Sequence, residues 1–128
     1  MRYKDFEGTL EELVEQKLQE IEEKEHVRIL HAVESGSRSW GFASPDSDYD
    51  VRFIYVRRPE DYLKLEPARD VIEWELDETL DINGWDLQKA LRQYHRSNST
   101  LFEWANSPVI YRTTEEWRQI HQAASVYF

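Results

Sequence analysis

Residues 27–34, VRILHAVE, set the tightest limit on what this chain can fold into. The run is short, β-branched and apolar almost without a break. A strand with one wet face alternates apolar with polar residues, so a run like this one is a strand covered on both faces. The rest of the chain must therefore supply a layer for each side of a sheet. Residues 9–25 offer one: Leu10, Leu13, Val14, Leu18 and Ile21 recur at helical spacing, with Thr9 as N-cap and Glu12 as its capping-box partner. The opposite face carries Glu11, Glu15, Glu22 and Glu25, with Lys24 among them, and reads as solvated.

Residues 49–56, YDVRFIYV, predict a second strand. Pro59 opens a short turn or helix, PEDYLKL. Residues 70–75 and 79–83 predict two more strands, paired as an antiparallel hairpin across Asp77 and Glu78. The last third reads as helical: residues 85–96 with Leu87, Ala90, Leu91 and Tyr94 on one stripe, a short helix from Thr100 with Glu103 as capping-box partner, and residues 114–127 capped by Thr113 or Thr114. Strands in the first two thirds with helices around them predict an α+β (mixed α/β) fold, a small mixed sheet flanked by helices. A length of 128 residues, without repeats or a linker, fits a single domain over 1–128.

Composition narrows the partners. No cysteine is present, which excludes a disulfide scaffold, thiolate metal sites and a cysteine nucleophile. No apolar run approaches the roughly 20 residues that span a bilayer. The start, MRYKDFEGTLEE, has no apolar stretch of the signal-peptide kind, so the cytoplasm is the expected compartment and no membrane the expected partner. The formal net charge of -10 repels a phosphate backbone on average and argues against tight nonspecific nucleic-acid binding by the bulk surface, while leaving room for a local site where carboxylates hold a divalent cation that inverts the sign.

The chemistry concentrates in Glu34–Val56, ESGSRSWGFASPDSDYDVRFIYV. Gly36 and Ser37 follow the buried strand directly. Glycine lets a ligand approach the backbone, Ser37 adds a hydroxyl and an N–H, and a helical turn starting at Ser37 would aim free N–H groups at an anion. Arg38 either touches a phosphate or is an ordinary loop arginine. Asp48 and Asp50 stand at i and i+2 where a strand begins, so their side chains share a face. Carboxylates that close repel one another unless a positive charge lies between them, and a hard divalent cation such as Mg²⁺ answers that need. Arg52 shares the face and either neutralises Asp50 or reaches a phosphate. Asp46 to Asp50 also looks like half of a calcium loop, but Val51 and Arg57 stand where Gly and a bidentate Glu are required. Trp40 and Phe42 read as anchors of the loop, His31 as a core residue, Lys89 and Arg92 as solvent-facing, and Trp104, Tyr111 and Trp117 as packing.

Gly36-Ser37, a gap of ten residues, and Asp48-Tyr49-Asp50-Val51 resemble the nucleotidyltransferase motif of the DNA polymerase β superfamily. The fuller string GSRSWGFASPDSDYDVRFIYV, with GWDLQKAL and SNSTLFEWANSPVIY downstream, resembles the predicted nucleotidyltransferases associated with RNA-ligase repair operons, over about residues 27–112. The resemblance implies a minimal nucleotidyltransferase fold. In it Gly36, Ser37, Arg38 and Arg52 would bind the nucleotide, and Asp48 and Asp50 would hold Mg²⁺ (or Mn²⁺) with a third carboxylate from a neighbouring strand. Asp81 is the choice for the third, because Leu80 and Ile82 beside it face the other way; Glu73 and Glu75 are runners-up, and Asp86 reads as the cap of the next helix. Ser35 departs from the superfamily, which has an apolar residue before the Gly-Ser pair. Relatives in the closer family run longer, with a helical C-terminal part, so the resemblance implies the core of such a protein.

The implied reaction moves a nucleoside monophosphate from an NTP to an acceptor hydroxyl and releases pyrophosphate. The acceptor would be an RNA end, a small molecule or a protein. The other reading is a non-catalytic nucleotide-binding or protein-interaction module with the same fold, such as a toxin-neutralising or regulatory partner.

Overall fold

The computed structural model describes residues 8–35, 49–66, 68–75, 80–95, 107 and 109–127. The elements in chain order are α1 (Leu10–Glu25), β1 (Val27–Glu34), β2 (Tyr49–Arg57), α2 (Pro59–Tyr62), β3 (Val71–Glu75), β4 (Leu80–Asp86), α3 (Leu87–His95), β5 (Ile110–Thr113) and α4 (Glu115–Tyr127). The short helix expected from Thr100 lies outside the described residues. Among the described residues, no helix is long and apolar enough to cross a membrane.

The five strands form one mixed sheet in the order β3-β4-β2-β1-β5. β1 pairs antiparallel with both β2 and β5, β3 pairs antiparallel with β4, and the central pair, β2 and β4, is parallel. α1 covers one face: its Leu13, Val14, Leu18 and Ile21 pack with Ile29, Ala32, Val51, Phe53, Tyr55, Ile72, Leu80 and Ile82. α3 and α4 cover the other through Ala90, Trp117 and Ala124, against Leu30, Val33 and Ile54. Each Leu, Ile or Val among them, fully buried, contributes about 1.5–3 kcal/mol. β1 is thus covered on both sides, as its unbroken apolar run predicts. Ile29 and Ala32, three residues apart, would face opposite ways in a regular strand, but the register shifts between Ile29 and His31 and returns both to the α1 side.

Local chemistry explains the ends of the elements. Thr9 caps α1 by accepting the Glu12 N–H at 3.2 Å, and His26 closes the helix in the left-handed region at φ 55°. Thr114, not Thr113, caps α4 by accepting the Trp117 N–H. The Asp86 carboxylate accepts the Gln88 N–H at 2.8 Å and so caps α3, as expected. That helix starts at Leu87 rather than Trp85, because β4 continues through Gly84 and Trp85 to pair with Ile72 and Val71. Gly84 faces Phe53 across the parallel pair, and a methyl group there would fall inside the Phe53 ring.

Two sequence readings need correction. β5 is a strand the sequence reading lacks. The acidic face of α1 is also more than solvated: Arg112 on β5 donates to Glu22 at 2.7 Å and to Glu15 at 2.6 Å, and Glu22 accepts the Ile29 N–H at 3.0 Å. His31 is a core residue, stacked on Trp117 with Nδ1 3.1 Å from the Thr113 hydroxyl.

Candidate active site

Strand alternation builds the site. Val51, Phe53 and Tyr55 are buried towards α1, with Tyr49 packed against them, which turns Asp50 and Arg52 to the opposite face. On β4 the same logic sends Leu80 and Ile82 to the α1 side and Asp81 and Asn83 to the other. The parallel register then sets Asp50 directly opposite Asp81 and Arg52 opposite Asn83. Neighbouring strands lie about 4.8 Å apart, so the two carboxylates are immediate neighbours. Both lie at the beginnings of their strands, and they keep 35% and 32% of their side chains exposed, enough to meet a ligand.

A guanidinium sits with them. Arg52 Nη2 donates to Asp81 Oδ2 at 3.0 Å and lies 3.8 Å from Asp50 Oδ1, while Nη1 donates to the Val51 carbonyl at 2.9 Å. The Asn83 amide nitrogen lies 3.2 Å from each Asp81 oxygen, and the Asn83 Oδ1 atom is buried without a hydrogen-bond partner. Of the two roles open to Arg52 in the sequence, the structure displays the first, neutralisation, and extends it to Asp81.

Behind this pair stands Glu34, the last residue of β1, 1% exposed. Its Oε2 accepts the Asp50 N–H at 2.8 Å and its Oε1 accepts the Tyr111 hydroxyl at 2.9 Å. Burial first, and the Glu34 charge second, push the Tyr111 phenol well above its ordinary pKa. Ser107 donates to the Glu34 carbonyl at 2.6 Å, and the Ser35 N–H donates to the Asp50 carbonyl at 2.9 Å. These bonds clip the end of β1 to the start of β2 and fix Asp50.

Asp50, Asp81 and Arg52 are therefore brought together on one face of the sheet. Gly36, Ser37, Arg38 and Asp48, together with Trp40 and Phe42, lie outside the described residues. Of the runners-up for the third carboxylate, Glu73 is exposed on β3 opposite Asn83, and the backbone of Glu75 stands opposite Asp81. Glu34, Tyr111, Ser107 and Asn83 were not legible as site residues; the one signal was a charge closing the two-sided apolar run just before Gly36. Among the described residues, no group of three or more His, Cys, Asp or Glu is placed to hold a metal ion. The pair that is described offers only oxygen donors and already attracts a cation, which fits a hard divalent ion.

A five-stranded mixed sheet flanked by helices is consistent with a minimal nucleotidyltransferase-like fold, and its two facing carboxylates stand at the starts of two parallel strands. The chain belongs to the RNA repair pathway DNA polymerase beta family, RlaP, whose sequence profile matches residues 10–128. It is also 50% identical over 111 residues to the uncharacterized protein YcgL of Bacillus subtilis (strain 168). That match takes in 84% of this chain and 43% of YcgL, so the chain spans less than half the length of this curated relative. No solved structure matches it.

Proposed function

We propose that this chain carries the catalytic core of a metal-dependent nucleotidyltransferase. It moves a nucleoside monophosphate from an NTP to an acceptor hydroxyl: the bond from the acceptor oxygen to the α-phosphorus forms, and the bond from that phosphorus to pyrophosphate breaks. The observation that carries this reading is the register of Asp50 opposite Asp81 on neighbouring parallel strands, both part-exposed, in a chain of this family. Asp50 and Asp81, with Asp48 from the sequence motif, would hold Mg²⁺ or Mn²⁺. When bound, the ions supply charge stabilisation for the attacking and leaving oxygens. Asp50 or Asp81 takes the proton of the acceptor hydroxyl. Glu34 and Tyr111 hold Asp50 in place from behind. Gly36, Ser37 and Arg38 bind the triphosphate.

The acceptor class this reading favours is an RNA end, given the family, with a small molecule or a protein side chain as the alternatives. The test is label transfer from each α-labelled NTP, with Mg²⁺ or Mn²⁺, onto RNA ends and onto the protein itself. Asp50→Asn and Asp81→Asn should each lower the rate at least about 100-fold while the fold persists. Nucleotide binding without transfer under every condition would refute the catalytic reading and favour the non-catalytic module.

A further inference from the structure

The Arg52 guanidinium is held at four points. Nη2 meets Asp81 Oδ2 at 3.0 Å and approaches Asp50 Oδ1 at 3.8 Å; Nη1 donates to the Val51 carbonyl at 2.9 Å and lies 3.5 Å from the Asp81 carbonyl. Its side chain is only 19% exposed, so this arginine folds back along its own strand instead of reaching into solvent. A single positive charge thereby serves two facing carboxylates. Asp81 is committed further, since the Asn83 amide nitrogen lies 3.2 Å from both its oxygens. A divalent ion bridging the facing carboxylates would compete with the guanidinium for Asp81 Oδ2 and Asp50 Oδ1, because a metal contact of about 2.1 Å leaves no room for both at one lone pair.

We propose that Arg52 is a resident counter-ion that a divalent cation must displace from Asp50 and Asp81, so that this residue sets the metal concentration at which the site fills. The inference rests on the reading of Asp50 and Asp81 as metal ligands. The divalent ion wins on charge, bringing two positive charges to a pair that the guanidinium balances with one. It wins only after the charge-assisted hydrogen bond from Nη2 to Asp81 Oδ2 is broken, and that loss appears as weakened apparent affinity.

The test is a calorimetric titration of Mn²⁺ alone, without nucleotide, into the folded wild type and into Arg52→Gln, Arg52→Lys and Asp50→Asn. Arg52→Gln should bind Mn²⁺ about tenfold more tightly than wild type, equivalent to about 1.4 kcal/mol. Arg52→Lys keeps the charge but loses the planar fork, and should fall between them. Asp50→Asn should bind more weakly. An Arg52→Gln affinity equal to or below wild type overturns the counter-ion role while the Asp50→Asn loss leaves the metal reading standing. Should Arg52→Gln not fold, an Arg52→Lys affinity no tighter than wild type overturns it equally. Binding that is absent from all four proteins, or indifferent to Asp50→Asn, overturns the metal reading and this inference with it.

Discussion

Replacing Glu34 by alanine should cost far more than its place at a strand end suggests. The side chain is buried, and its two oxygens accept the Asp50 N–H at 2.8 Å and the Tyr111 hydroxyl at 2.9 Å. Alanine removes both acceptors and leaves two donors in a place water reaches poorly. A buried donor without a partner costs about 1–3 kcal/mol, and two of them with the small cavity left behind give about 3–5 kcal/mol. Glutamine keeps the shape: its oxygen can accept the Asp50 N–H, and its amide can donate to the Tyr111 oxygen. Glu34→Gln should therefore lose only about 1–2 kcal/mol, the difference between charged and neutral hydrogen bonds. The assay is urea unfolding followed by far-ultraviolet circular dichroism. With a slope of about 2 kcal/mol per molar, Glu34→Ala should lower the midpoint by roughly 2 M at unchanged slope. A Glu34→Ala protein within about 0.5 kcal/mol of wild type, the range of ordinary surface changes, would refute this account of the strand end.

Other substitutions probe other parts of the fold. Gly84→Ala puts a methyl group into the Phe53 ring and should destabilise by about 1–3 kcal/mol, measured by thermal or urea unfolding; a neutral result would contradict the close packing of β4 on β2. His26→Gly relieves a non-glycine residue at φ 55° and should stabilise by up to about 1 kcal/mol, seen as a higher unfolding midpoint; a lower midpoint would place a tertiary contact of His26 above its backbone strain. Burial lowers the pKa of His121 below its ordinary 6.5, so the unfolded chain takes up a proton more readily than the folded one. That contribution should be intact above about pH 6.5 and be lost as the pH falls through that value, and His121→Gln should flatten this part of the midpoint-versus-pH curve.

The sequence carried the parts of the fold whose signal is local. Helical spacing with Thr9 gave α1, the unbroken apolar run gave β1, and strand alternation put Asp50 and Arg52 on one face. Asp81 was legible for the same reason, through Leu80 and Ile82, although only the parallel register shows it opposite Asp50. What was missed is non-local. Four residues of β5 hold no periodicity, and they become a strand only because β1 offers them a hydrogen-bonded edge. Trp85 looks like the first turn of a helix until Val71 of β3 pairs with it. Glu15 and Glu22 look like solvent-facing charges until Arg112 arrives from the far end of the sequence. Glu34 shows in the sequence only as a charge closing an apolar run, because its partners come from β2 and β5.

The pairing of β1 with β5 also orders events in time. Thr113 meets His31 across 82 residues of chain, and Tyr111 meets Glu34 across 77. A ribosome adding about 5–20 residues per second needs roughly 4–16 s to make that stretch. Throughout it the outer edge of β1 has no β5 beside it, and the Glu34 carboxylate has no Tyr111. The nascent chain can pair β1 with β2 early, but the acidic residue behind Asp50 receives its second donor only when residue 111 appears. Such long-range closure is slow and leaves a bare apolar strand edge for its duration. In this chain the β2–β4 register that faces Asp50 with Asp81 is thus available once residue 86 is made, whereas the Tyr111 hydroxyl that steadies Glu34, and the strand that covers the outer edge of β1, arrive late in synthesis.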